Sequence, residues 1–521
     1  MINRYYLSGA IIALLAINSI STSASEVLYK KNCASCHAES RIGAMGPALL
    51  PDSLARLDKK LADDVILNGR VATRMPAFKE ALNAQEIASI IEFIYQAPEV
   101  MPSLTDADIM ASRKDLGDRS LDSNSPKFDA DPWNLFLVVE TGDHHVTLLD
   151  GDKFEPITRF KSHFALHGGP KFTQDGRFVY FASRDGWVSK YDIYNMQYVA
   201  EIRTGINTRN VAVSDNGEYV AVANYWPRTL VILDGKDLSL IKTIPVASLE
   251  GKSSRLSAVY HARQRKSFVV ALKDVPELWE VPYGPAIKNP PKKSNQQGSK
   301  NNTKNLFTPI HINTGVVLDD FFFSSDYTKV IGATRPLGSG TKGDIKNGLV
   351  IDLDLKRKIA ELDLPGMPHL GSGIIWNHKG RQVLATPNFR SAEISVIDMK
   401  SWETIKRIKT EGPGFFMRSH ENTSYAWSDV FFGPNKDKVH IIDKQTLEIV
   451  KTLQPEPGKT AAHLEFTKDG RYTLMSIMED DGAIIVYDAE TFEEVKRIPM
   501  KRPVGKYNIY NKTHLSAGTS H

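Results

Sequence analysis

The sequence predicts a mostly β chain, in which a small all-α domain is followed by an eight-bladed β-propeller. Three observations carry that expectation. Polar turns recur ahead of apolar runs, as in Thr173-Gln174-Asp175-Gly176-Arg177, Ser214-Asp215-Asn216-Gly217-Glu218, Asn377-His378-Lys379-Gly380 and Thr467-Lys468-Asp469-Gly470-Arg471, which read as hairpin turns. An apolar strand ending in aspartate also recurs, at Leu230 to Asp234, Ile394 to Asp398, Val439 to Asp443 and Ile484 to Asp488. A period of roughly 40 to 50 residues with about four strands each is the signature of a propeller blade, and the chain after residue 132 holds about eight. Upstream of residue 100 the period changes to that of a helix.

Taken in order, residues 1–24 read as a secretory signal peptide: Arg4, then the apolar run Leu7 to Ile17, then the small residues Ser21-Thr22-Ser23-Ala24. An uncleaved anchor is the alternative, and no other segment is apolar enough to span a bilayer. Export to a bacterial periplasm is the expectation, without stable membrane insertion.

Residues 25–100 form the predicted all-α domain. Leu54, Leu57, Leu61 and Val65 recur at helical steps, as do Ile87, Ile90, Ile91 and Ile94, and Asn83 with Glu86 is placed to cap the second helix. The domain opens with Cys33-Ala34-Ser35-Cys36-His37, which contains the only two cysteines in 521 residues. Two thiols three positions apart can each add to a porphyrin vinyl group while the adjoining imidazole becomes an axial iron ligand, so the motif predicts one covalent haem c with His37 as proximal ligand. A disulfide across so short a loop would stabilise little, and zinc would want further cysteine or histidine pairs. For the sixth ligand the sequence offers Met75, in a loop where Pro76 keeps the preceding residue extended, with Met45 as the rival. Methionine ligation would make this haem an electron acceptor or relay with no open position for chemistry.

Residues 101–132 are polar and weakly periodic and read as a linker or arm, and the propeller is expected over 133–521. Lys288 to Lys304 interrupts one blade as a solvated loop. Propellers carry ligands on loops at one end of the central channel, which draws attention to His167 in Leu166-His167-Gly168-Gly169-Pro170 and His369 in Pro368-His369-Leu370-Gly371-Ser372-Gly373. The balance of 65 basic against 61 acidic residues, net +4, gives no ground for a nucleic acid partner.

A haem-c domain followed by such a propeller resembles the cytochrome cd1 nitrite reductase family over essentially the whole mature chain. The likeness rests on Phe164-Ala165-Leu166-His167, Ser183-Arg184-Asp185, Thr208-Arg209-Asn210, Asn224-Tyr225-Trp226-Pro227 and Gly505-Lys506-Tyr507-Asn508-Ile509-Tyr510-Asn511. It implies a second, non-covalent cofactor, haem d1, with His167 as its proximal iron ligand. The reductase uses two distal histidines as proton donors. Here Pro368-His369 matches one, whereas Val317-Leu318-Asp319-Asp320 stands where the other belongs. Loss of a donor should cost nitrite reduction about two orders of magnitude or more.

Arg41-Ile42-Gly43-Ala44-Met45-Gly46-Pro47-Ala48-Leu49-Leu50-Pro51 looks instead like the biosynthetic branch of the family, the periplasmic dihydro-haem d1 dehydrogenases. That resemblance implies oxidation of a propionate of dihydro-haem d1 to an acrylate, the last step of haem d1 biosynthesis for denitrification. Haem c would take the electrons, a periplasmic acceptor would follow, and nitrite reductase would receive the product. A haem d1 carrier and a divergent nitrite reductase are the alternatives. The expected roles are His369 as distal ligand or proton acceptor, Arg184, Arg209 and Arg418 as carboxylate partners, and Tyr225 and Trp226 stacked on or edging the macrocycle. Tyr95, at the end of the last helix of the first domain, and His420, in Met417-Arg418-Ser419-His420, are further catalytic candidates.

Overall fold

The computed structural model describes residues 24–54, 57–70, 75–118, 123–166, 168–284, 306–334, 347–515 and 517–518. The chain forms two compact units divided between Ser103 and Leu104. The signal-peptide expectation, up to residue 23, the Lys288 to Lys304 loop and His167 itself lie outside the described residues.

The first unit is helical. A helix over 24–32 leads into the short helix Ala34–His37, and Pro51–Leu54, Lys59–Asn68 and Ala84–Tyr95 follow. The last begins at a capping box in which Asn83 and Glu86 bond reciprocally, and it buries Ile87, Ile90, Ile91 and Ile94 as the periodicity predicts. The earlier leucine stripe is not one helix. Asp58 accepts from the Leu61 N–H and starts a new helix, which rotates Ala62 and Ile66 inward and leaves Leu61 exposed.

The second unit is a ring of eight four-stranded antiparallel blades. Numbered along the chain, their innermost strands are Pro503–Asn508 for blade 1, then Lys171–Phe172, Asn207–Val213, Leu256–Ala262, Leu318–Phe323, Ile374–His378, Met417–Ser419 and Ala461–Phe466 for blades 2 to 8. Blade 1 is composite: the C-terminal strand pairs with Leu135–Glu140, Val138 opposite Lys506, and so closes the ring. The expected linker over 101–132 is corrected at this point. The helix Asp106–Ser112 buries Ile109 in the core between blades 2 and 3, and Lys114–Asp115 adds a fifth strand to blade 2 beside Ala200 and Glu201. Apolar Leu104 and Ile109 were too few to show a helical period in the sequence.

Each blade has a turn end and a loop end. At the turn end the Thr-x-Asp-Gly phrase wraps on itself: Thr173 Oγ1 donates to Asp175 Oδ1, which accepts from Arg177 N at 3.1 Å. The strand-ending aspartates act alike, with Asp234, Asp398, Asp443 and Asp488 each accepting from the N–H two residues on at 2.7–3.0 Å. Four residues after each lies a non-glycine residue in the left-handed region, namely Leu238, Trp402, Leu447 and Phe492, and Phe154, Met196 and Lys356 follow Asp150, Asp192 and Asp352 in the same way. The opposite end carries the connections between blades and the loops between second and third strands, including His369, Arg184 and Tyr225.

At the turn end, a Cβ on Gly235 would stand 1.9 Å from the Gly217 carbonyl oxygen. Gly235→Ala is therefore expected to cost about 1–3 kcal/mol through crowding, read as a melting temperature several degrees lower, while the loop end keeps its ligand-binding properties.

Candidate functional site

In the helical unit the sequence motif becomes one helical turn. Cys36 and His37 N–H both donate to the Cys33 carbonyl, at 3.1 and 2.9 Å, which sets the two thiols and the imidazole around one side of the turn. Burial, reinforced by Cys36, pushes the Cys33 thiol up to about 11. His37 Nδ1 donates to the Pro47 carbonyl at 2.7 Å, so Nε2 carries the lone pair. Burial also holds this imidazole below the usual histidine range, keeping it in the neutral, ligating form. The Gly43 to Pro47 loop packs on that ring: a Cβ at Gly46 would lie 2.5 Å from His37 Cε1. Met45 therefore belongs to the segment that orients His37. Met75 stands in a separate loop, closed by Arg70 N–H on the Met75 carbonyl at 3.1 Å, and packs half-buried against the cluster that includes Cys33. This donor set of two thiols, a fixed neutral imidazole and a thioether fits a covalent haem.

Tyr95 donates its hydroxyl to the Leu57 carbonyl, and its half-buried ring borders the core of its own unit.

The loop end of the propeller gathers charge around Tyr225, which lies at the end of the second strand of blade 3 beside half-buried Trp226. Lys273, Arg184 and Arg255 lie 5.3, 5.7 and 5.9 Å from the centre of its ring. Burial alone would raise the phenol, but Lys273, Arg209 and Arg184 outweigh it and bring Tyr225 down to about 8. Burial pulls Arg184 down to about 10, so it stays charged at neutral pH. Arg209 is also desolvated, yet Tyr225, Asp320, Tyr260 and Asp319 raise it overall. Three β-bulges re-aim the inner strands here. They fall at Ser257, Asp319 and His463, each skipped by the strand pairing. Arg209 Nε donates to the Ser257 carbonyl at 2.8 Å, and Lys273 Nζ donates to Asp319 at 3.0 Å.

His369 faces the same channel from the connection between blades 5 and 6. Its Nδ1 donates to the Phe415 carbonyl at 2.5 Å and its ring packs on Phe415 and Phe389. Burial holds it below the usual histidine range; Asp320 and the Phe415 carbonyl oppose that, whereas Arg418 and Arg209 add to it. Asp320 accepts from Tyr260 at 2.9 Å and lies against Gly371, where a Cβ would come within 2.2 Å of its Oδ2. Arg418 is 3% exposed; Nη1 donates to the Met417 carbonyl, and Nε has no partner among the described residues.

The residues flanking position 167 are fixed: Leu166 bridges to Ser183, Gly168 packs on Asn210 and Gly169 on the Tyr507 ring. His420 does not join this group. It follows the inner strand of blade 7, whereas His369 precedes that of blade 6, so it lies at the turn end, accepting from Asn422 N–H and covered by Gly470. Strand direction separates Arg418 from His420 although only Ser419 lies between them in sequence. Lys273, Tyr260 and Asp429 escaped the sequence reading; ring contacts mark the first two and backbone hydrogen bonds to its carboxylate mark Asp429.

The phenol of Tyr225 supplies a direct check on this electrostatic picture. The absorbance difference between wild type and Tyr225→Phe should show one phenolate forming near pH 8 in the ligand-free protein. Lys273→Met removes a cation that favours the phenolate, so the midpoint should move up. Absence of any Tyr225-dependent absorbance below pH 10 would contradict the arrangement.

Comparison with known proteins agrees with this geometry. Residues 130–512 match the family model Cytochrome D1 heme domain, and residues 21–94 match that of Cytochrome C oxidase, cbb3-type, subunit III. The chain is 51% identical to Dihydro-heme d1 dehydrogenase of Pseudomonas aeruginosa, over 95% of each chain. Protein NirF of the same organism is 26% identical over 73% of this chain and 93% of its own. The solved structure of dihydro-heme d1 dehydrogenase NirN in complex with DHE superposes with a TM-score of 0.79 at 51% identity, covering 94% of this chain and 99% of that one. With its attachment turn for haem c and its cation-rich propeller rim, the chain belongs to the cytochrome d1 haem domain family and, within it, to the dihydro-haem d1 dehydrogenases.

Proposed function

We propose that this chain oxidises dihydro-haem d1 to haem d1 in the periplasm and that the product passes to nitrite reductase. The observation that carries the reading is the loop end of the propeller, where desolvated cations surround Tyr225 and face a neutral imidazole. A macrocycle bearing several carboxylates is the ligand such a rim favours. Among the described residues no helix is long and apolar enough to cross a membrane.

In the reaction two C–H bonds of a propionate break and one C=C bond forms, releasing two protons and two electrons. Arg184, Arg209 and Arg418 hold ring carboxylates, and Lys273 adds charge beside them. Arg418 Nε, without a partner among the described residues, is placed to do so in a buried position, where a charge-assisted bond counts most. His369 presents Nε2 to the substrate because Nδ1 is committed to Phe415, and it serves as ligand or proton acceptor. His167 is assigned to the iron of the substrate on the family resemblance. Tyr225 and Trp226 edge the ring. Cys33, Cys36, His37 and Met75 would hold haem c, which would accept the two electrons one at a time, the first passing to an external acceptor or a second haem-c protein before the next is taken.

Nitrite reduction is disfavoured by the chain itself. Asp319 and Asp320 occupy the position of the second distal histidine, and Lys273 and Tyr260 already engage them.

Anaerobic incubation of haem-c-loaded protein with dihydro-haem d1 tests the reading. The expected result is a product lighter by two hydrogens, with matching reduction of haem c. Binding without a mass change would make the protein a carrier, and nitrite turnover above that of free haem would make it a reductase. His369→Gln should slow oxidation about 100-fold. Arg418→Met should weaken dihydro-haem d1 binding about tenfold, measured by spectral titration.

A further inference from the structure

His369 is oriented by a peptide group, and that peptide is held from its other side by a buried carboxylate. The carbonyl of Phe415, which accepts from His369 Nδ1 at 2.5 Å, and the N–H of Phe416 are the two ends of one peptide plane. Asp429 Oδ1 accepts from that Phe416 N–H at 3.0 Å and from the Phe415 N–H at 2.7 Å. Because the peptide unit is planar and trans, fixing the direction of its N–H fixes its carbonyl on the opposite edge. The carboxylate and the imidazole therefore bond to opposite ends of one rigid group, and each bond polarises the peptide in the sense that strengthens the other.

The remainder of Asp429 is equally committed. Its own N–H donates to the Phe416 carbonyl at 3.1 Å, and Oδ2 accepts from His463 N–H at 3.2 Å. His463 is the bulged residue of the blade 8 inner strand, with φ at +52°, and Lys506 Nζ donates to its carbonyl. Asp429 is 1% exposed, and Gly414 lies against it so closely that a Cβ there would stand 2.8 Å from the Asp429 carbonyl oxygen.

We infer that Asp429 is a positioning residue for His369: acting through the Phe415–Phe416 peptide, it fixes the tautomer in which Nδ1 carries the proton and Nε2 is free. The inference rests on the reading of His369 as the ligand or proton acceptor of the rim. Histidines that bind metals or move protons are commonly held by a carboxylate or a carbonyl on the second nitrogen. Here the two devices are joined in series.

Histidine-selective ¹⁵N NMR of the ligand-free, haem-c-loaded protein reads the tautomer directly, with His369 assigned by its loss in His369→Gln. Wild type is expected to show His369 protonated at Nδ1, and Asp429→Ala to shift population to the Nε2–H form that dominates for free imidazole side chains. An unchanged tautomer in Asp429→Ala overturns the inference. With dihydro-haem d1, Asp429→Ala should lower the oxidation rate about tenfold while the dissociation constant changes less than about threefold, and in a His369→Gln background it should add less than about a twofold loss. Equal losses in both backgrounds would mark a general packing role and overturn the inference. Should Asp429→Ala not fold, Asp429→Asn carries the same two-background comparison with the same criterion. Failure of wild type to oxidise dihydro-haem d1 would instead sink the proposed function, and the NMR result, taken without the cofactor, would still decide the role of Asp429.

Discussion

Ring closure is the constraint on which the propeller depends. Seven blades take their four strands from consecutive stretches of chain, but blade 1 is complete only when Pro503–Asn508 returns to pair with Leu135–Glu140. That pairing joins residues more than 360 positions apart, so its loop-closure entropy must be overcome before the contact stabilises anything. The same strand carries Lys506 and Tyr507 into the channel, where Tyr507 packs on Gly169 and Lys506 reaches the bulge at His463. Closing the ring and completing the rim are one event.

The rim in turn is governed by desolvation. Arg255 is neutralised by two hydrogen bonds to Asp274 and Lys273 by Asp319, but Arg418 Nε has no partner among the described residues, and Tyr225 is drawn toward its phenolate by the surplus. An excess of buried positive charge is unfavourable unless something anionic compensates it. The protein tolerates that cost in the ligand-free state, which makes the polarity of its substrate readable from its own side chains. In the helical unit the logic is coordination: the Pro47 carbonyl and Gly46 fix one imidazole, and a separate loop presents a thioether.

Much of this was legible in the sequence, for identifiable reasons. The attachment motif is local, five residues within one helical turn, and the turn phrases are local as well. Each strand-ending aspartate caps its own turn, so its role needs no partner from elsewhere. Arg184, Arg209 and Tyr225 were found through family phrases and His369 through its glycine-rich loop at a blade joint, and the fold brings all four to one end of the ring. What stayed hidden depends on contacts between blades. Asp429 bonds residues 13 and 34 positions away, and Tyr260 meets Asp320 across 60. His420 was misplaced because spacing along a strand does not say which end faces the ligand. The bond from Tyr95 to the Leu57 carbonyl leaves no trace in composition, and the helix Asp106–Ser112 was missed because a single isoleucine anchors it.

The turn repeated at the far end of seven of the eight blades has an engineering consequence. Seven times a non-glycine residue adopts a left-handed backbone four positions after an aspartate, each at a conformational cost that glycine or asparagine would lessen. Lys356, exposed and remote from the rim, is one such position. Because the strands run the full depth of the ring, these turns and the ligand-facing loops sit at opposite ends of the same elements. Robustness can thus be evolved or engineered on one face of the molecule while selection for chemistry acts on the other.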